Sequence, residues 1–92
     1  MIRIELPRAL HQYAQGSTVM EVDHSCATVS EALTALESKF PRVLDSVMDE
    51  RGEIRTHVNV FVDAKSIRFL SGLATPVREG STIVIVPAVS GG

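Results

Sequence analysis

The run Ile83-Val84-Ile85-Val86-Pro87-Ala88-Val89-Ser90-Gly91-Gly92 decides how the rest of the sequence is read. Four β-branched residues in succession favour a strand, and Pro87, which has no amide hydrogen for a ladder, marks its end. If Ile83 and Ile85 face a core, Val84 and Val86 face outward, because side chains alternate along a strand. Beyond the strand stand Ser90, Gly91 and Gly92. A glycine pair terminates a fold poorly, since each loses much conformational entropy on ordering and packs nothing. The pair does form a narrow extension, and three residues past Val89 reach about 10 Å from a domain surface. A frayed end or an expression remnant has the same composition. The pattern predicts a folded unit over residues 1–89 and a flexible Ser-Gly-Gly tail over residues 90–92. A tail this narrow can thread a tight channel and present its carboxylate to another protein's active site.

Upstream, Ile2, Ile4 and Leu6 alternate with Arg3 and Glu5, and Met20 and Val22 alternate with Glu21. These are two half-buried strands, antiparallel in the economical reading and joined by a short helical turn or ordered loop over residues 8–17. Thr28 and Glu31 form a T-x-x-E capping box. Val29, Ala32, Leu33, Leu36 and Phe40 then make one apolar stripe at helical spacing, ended near Lys39 by Pro41. Val43, Leu44, Val47 and Met48 give a second short helical face. Val58, Val60 and Val62 alternate with Asn59 and Phe61 in a strand, Asp63-Ala64 reads as a turn, and Ile67 to Phe69 as a short strand after it. The order β-β-α-β-β-β, with one main helix to cover one sheet face, is an α+β domain.

The composition limits the function classes. The 92 residues are 45 % hydrophobic and 22 % charged, enough for one modest core. Nine Lys and Arg against eleven Asp and Glu give −2, which argues against nucleic acid or an acidic membrane as partner. The longest apolar run, Ile83 to Val89, is far short of the ~20 residues that span a bilayer. The start Met-Ile-Arg-Ile-Glu lacks a signal peptide's apolar segment, and one cysteine fits a reducing compartment. A cytoplasmic domain is expected. It has no G-x-x-x-x-G-K-[ST] loop for ATP phosphates, and a chain this small suits a carrier or binding module better than an enzyme.

Taken together, the chain resembles the ubiquitin-like β-grasp sulfur carriers of the MoaD/ThiS family. The resemblance covers its length: the element order, the helix opening at Thr28, the strand His57-Val-Asn-Val-Phe-Val-Asp63 and the ending Pro87-Ala-Val-Ser-Gly-Gly92. That ending is similar to the family's Pro-Pro-Val-Ala-Gly-Gly type and departs at Ala88 and Ser90. Within the family, Ile67-Arg-Phe-Leu-Ser-Gly-Leu-Ala-Thr75 is most similar to the CysO type, carriers for thiocarboxylate-dependent cysteine synthesis.

The resemblance implies a β-grasp fold with a mixed four- to five-stranded sheet and a chemistry centred on Gly92. A ubiquitin-activating-type adenylyltransferase would adenylate the Gly92 carboxylate with ATP. A sulfur-donor enzyme would then displace AMP to leave a thiocarboxylate. The acceptor would be a pyridoxal-phosphate-dependent, cysteine-synthase-like enzyme, its adduct released by a metallopeptidase. The alternatives are the large subunit of molybdopterin synthase as acceptor, a protein modifier that joins Gly92 to lysines, or an interaction module whose tail is never activated. The chain would bind no cofactor and no metal of its own and would act as a co-substrate rather than a catalyst.

Strand period places Phe61, Val84 and Val86 outward beside the tail, and with Pro87 and Val89 they form the expected partner-docking surface. Coverage of that sheet face by residues 64–80 would instead leave them half buried. Cys26, with His24 nearby, lacks the further ligands a metal needs and suits a loop before the helix cap. His11 and His57 have no evident partner. The acidic residues Asp45, Asp49, Glu50 and Glu53, and the cations Arg68 and Arg78, read as solvated surface.

Overall fold

Strand β1 (Ile2–Glu5) buries Ile2 and Ile4 and turns Arg3 and Glu5 away from the core, as a strand with one covered face must. It opens a chain whose computed structural model describes residues 1–16, 18–22 and 27–87. A 3-10 segment (Arg8–Ala14) links β1 to β2 (Val19–Val22), which returns antiparallel with Ile2 opposite Val22 and Ile4 opposite Met20.

Helix α1 (Val29–Lys39) begins where its cap requires. Thr28 is extended, and its hydroxyl accepts the Glu31 amide at 3.2 Å. Glu31 reaches back to accept an amide at 2.8 Å, from Ala27 rather than from Thr28 itself, so the capping box is shifted by one residue. Val29, Ala32, Leu33 and Leu36 are buried, while Phe40 at the helix end is only half buried. Pro41 both ends α1 and begins α2 (Pro41–Val47), since a proline at the first helical position forfeits no intrahelical hydrogen bond.

Strands β3 (Val58–Val62), β4 (Lys65–Ser66) and β5 (Thr82–Pro87) complete a five-stranded sheet in the order β2-β1-β5-β3-β4. Only the β1–β5 pairing is parallel; the others are antiparallel. A mixed sheet with its first and last strands side by side at the centre, and a main helix across one face, is the β-grasp arrangement that the family resemblance implies.

The strand expected over Ile67 to Phe69 is instead a 3-10 turn, and the fourth strand is the two residues before it. The Ser66 hydroxyl accepts the Arg68 amide at 3.3 Å and caps the turn. A strand would have set Ile67 and Phe69 on one face; here Ile67 is buried and Phe69 is 88 % exposed.

The turn at Asp63-Ala64 forms as expected, with Val62 opposite Lys65 and both central residues at positive φ, 48° and 74°. That is the two-residue loop whose twist matches a hairpin. Asp63 also anchors β5: its carboxylate accepts the Thr82 amide at 3.0 Å, and its own amide donates to the Thr82 carbonyl. A left-handed conformation costs an L-residue such as Ala64 about 1–2 kcal/mol. Ala64→Gly is therefore expected to stabilise the domain by about 1 kcal/mol. This corresponds to a rise in melting temperature of about 4–8 °C for a chain of this size, measured by circular dichroism.

Candidate functional site

The centre of the sheet delivers the chain to its candidate site. β5 is held by β1 on one side, from Arg3 opposite Thr82 to Glu5 opposite Val84, and by β3 on the other, from Val62 opposite Ile83 to Val58 opposite Pro87. β1 ends at Glu5, so among the described strands β3 alone pairs with Ile85, Val86 and Pro87. The strand thus leaves the body of the domain next to Val58.

The inward set is as expected. Val58, Val60, Val62, Ile83 and Ile85 are all buried, and Ile85 is 2 % exposed. The outward set is also on the expected face, with graded exposure. Phe61 and Val84 stand directly opposite one another on adjacent strands, and both are half buried; Val86, opposite Asn59, is 37 % exposed.

Register accounts for this gradation. Glu5, Val84, Phe61 and Ser66 are successive members of one cross-strand row, so each side chain shades the next. Val86 has a row partner only in Asn59. The segment after β4 does not account for the shading, because its later part folds toward α1: Gly72–Ala74 packs against α1, and Thr28 bridges Pro76. Asn59 completes the surface beside Val86. Its place followed from the period that assigned Phe61, but a polar residue does not stand out in a search for apolar ones.

Pro87 is described through its backbone pairing with Val58. Val89, Ser90, Gly91 and Gly92 lie outside the described residues, as do His24 and Cys26. Among the other residues weighed from sequence, His11 Nε2 lies 3.0 Å from the Leu6 carbonyl oxygen and His57 is exposed. Asp49 is a turn cap rather than plain surface. Its carboxylate accepts the Glu53 amide at 3.0 Å and the Arg51 amide at 2.9 Å. Those amides, Glu53's first, hold its carboxyl below the ordinary aspartate value. Arg68 donates to the carbonyls of Thr56 and Val58 at 3.3 and 3.4 Å, which ties the 3-10 turn to the start of β3. Among the described residues no group of three His, Cys, Asp or Glu could hold a metal ion, and no helix is long and apolar enough to cross a membrane.

Residues 4–92 match the model of the ThiS family. The sulfur carrier protein CysO of Mycobacterium tuberculosis is 29 % identical over 99 % of this chain and 98 % of its own. A chain of the crystal structure of the Amycolatopsis orientalis BexX/CysO complex superposes with a TM-score of 0.90 at 29 % identity, covering 100 % of both chains. Small archaeal modifier protein 3 of Haloferax volcanii is 32 % identical over 85 % of this chain and 83 % of its own.

The alternation in β5 is directly testable. Ile85→Asp places an unpaired carboxylate in the core at a cost of several kcal/mol, comparable to the whole stability of a small domain, and should leave the protein unfolded. Val86→Asp, one residue on, should cost about 1 kcal/mol or less. Circular dichroism melts of the two variants distinguish facing from location.

Proposed function

The chain belongs to the ThiS family of ubiquitin-like sulfur carriers, and on that premise we propose that it carries sulfur as a thiocarboxylate on Gly92, destined for cysteine biosynthesis. The observation that carries this reading is the exit of β5. The strand is clamped at the sheet centre, overruns β1, and is followed in sequence by five residues that end in Gly91-Gly92. Five residues span at most about 17 Å, so Gly92 can enter a partner's active site while the domain stays docked outside. The family model and the likeness to CysO over the whole chain support the same reading.

The chemistry belongs to partners, and this chain supplies the acyl group and the surface that positions it. A carboxylate is a poor acyl donor until one oxygen becomes a leaving group. In an adenylyltransferase of the ubiquitin-activating type, the Gly92 carboxylate attacks the α-phosphorus of ATP and expels pyrophosphate. Sulfide equivalent from a sulfur-donor enzyme then adds to the acyl carbon and expels AMP. The thiocarboxylate sulfur remains a nucleophile covalently held by the carrier, and it displaces the leaving group of an activated serine derivative on a pyridoxal-phosphate-dependent enzyme. An S-to-N acyl shift moves the Gly92 acyl group from sulfur to the amine, and hydrolysis of that amide by a metallopeptidase releases cysteine and restores the Gly92 carboxylate. Val86, with Phe61, Val84, Pro87 and Val89, forms the docking surface for these cytoplasmic enzymes. The BexX/CysO complex is a precedent for a carrier that works in association with a partner.

A second reading rests on the likeness to small archaeal modifier protein 3. In it the same adenylate is attacked by a lysine amine, giving an isopeptide bond instead of a thiocarboxylate.

Intact-mass measurement tests the proposal. Incubation with ATP, the activating enzyme and a sulfur source should raise the mass by the difference between sulfur and oxygen, and fragmentation should place the change on Gly92. Cys26→Ser should leave the reaction intact; label on Cys26 instead of Gly92 would refute the carrier reading. Gly91→Val should reduce activation by about two orders of magnitude or more, because a β-branched side chain widens the tail and restricts its backbone. Its melting temperature should be unchanged.

A further inference from the structure

The cover over the inner face of the sheet carries a surface groove beside β3, above inward residues that are themselves buried. Helix α1 and helix α2 pack on one another toward the β1–β2 side. Over β3 the covering elements are the segment before it and the two 3-10 turns after β4, Ile67–Phe69 and Gly72–Ala74. Between them lies a groove of about 450 Å³. Val58, Val60 and Ile67 lie buried at its base, and the half-buried Ile54 and Leu73 supply its more open apolar lining. That volume is at the lower end of pockets that hold small ligands, about 300–1,000 Å³, and it admits a benzyl side chain with room to spare.

One residue beyond the lining residues Ile67 and Arg68 the chain exposes a side chain of that kind. Phe69 is 88 % exposed, and Leu70 beside it is 45 % exposed. An aromatic ring so completely hydrated is unusual in a folded domain, because its burial is among the larger sources of contact energy. We propose that this face is a self-association surface: in a two-fold dimer, Phe69 of each copy seats in the groove of the other.

Two features select a second copy as the occupant. A two-fold interface uses the same patch twice, so it needs projection and cavity side by side on one molecule; here they are adjacent in one 3-10 turn. The groove also carries one charge of each sign, Glu53 and Arg68. Among the described residues Arg68 has no carboxylate within ion-pair distance, whereas Glu53 is exposed and paired only loosely with Arg51, at 3.7 Å. A two-fold axis that passes between Glu53 and Arg68, across the line joining them, sets Glu53 of each copy opposite Arg68 of the other, and in that arrangement the charges complement one another twice. Two seated phenylalanines bury about 300–500 Å² of their own surface. Even doubled for the groove surface they cover, this falls below a standard stable interface of about 1,200–2,000 Å², so the dimer is weak and reversible.

Sedimentation equilibrium of the full chain from roughly 10 µM to 1 mM, the range suited to an interface below standard size, should show a monomer–dimer equilibrium. Phe69→Ser removes the projection, and Thr56→Trp fills the mouth of the groove from an exposed position. Each should weaken dimerisation by about tenfold or more with the circular dichroism spectrum preserved. A mixture of the two variants keeps one intact groove and one intact Phe69 and should form a heterodimer stronger than either homodimer. A monomer throughout the range, or a dimer that survives either substitution, overturns the proposal.

Discussion

The structure depends on one insertion: β5 enters the middle of the sheet and pairs on both sides at once. Until it does, β1 with β2 and β3 with β4 are two separate hairpins, and neither is independently stable in water. The pairing of Ile4 with Ile83 joins residues from opposite ends of the sequence, and Ile83 and Ile85 are among the largest fully buried side chains. The local elements have to wait for that contact before they bury their apolar faces. Folding is therefore expected to be cooperative and governed by long-range contacts.

The same insertion explains the apolar outer surface. A strand in the centre of a two-layer fold has one face under the helices and one toward solvent. β5 is apolar on both faces, with Val84 and Val86 opposite Ile83 and Ile85. Val84 is shaded by Phe61 and Glu5 in its cross-strand row, but Val86 is left more open by the end of β1. Of Phe61, Val84 and Val86, the residue with the highest fractional exposure thus stands where the strand leaves the domain.

How much of this was legible in the sequence depended on the range of the interaction. The start of α1 was legible because Thr28, Ala27 and Glu31 settle it among themselves, although the shift of Glu31 to the Ala27 amide was not. The facing of Phe61, Val84 and Val86 followed from the strand period alone. Their degree of exposure did not, because it depends on which residues stand opposite, and that register is set by contacts distant in sequence. The fourth strand is not legible because two residues carry no period, and because Ile67 and Phe69 at alternate positions imitate a buried strand face. The 3-10 turn, capped by Ser66 on the Arg68 amide, sends them in different directions and leaves Phe69 exposed. Gly91 and Gly92 lie outside the described residues, and their reading rests on composition, chemistry and the family's ending rather than on packing.

The two candidate surfaces divide the molecule in a way that bears on how a carrier can meet several proteins. Phe61, Val84 and Val86 lie on the outer face of the sheet, whereas the groove floor of Val58 and Val60 lies on the inner face. β3 is common to both, and its alternation sends successive residues to opposite sides. Partners on the two surfaces therefore approach from opposite directions and compete little along most of the strand. They converge at one rung, where Val58 lines the groove and its neighbour Pro87 ends β5. A weak dimer placed there leaves the outer face open for docking and gives way readily to any enzyme that must close around the chain beyond Pro87. Self-association of this strength is compatible with a carrier that changes partners, whereas a tight dimer at the same rung would oppose each exchange.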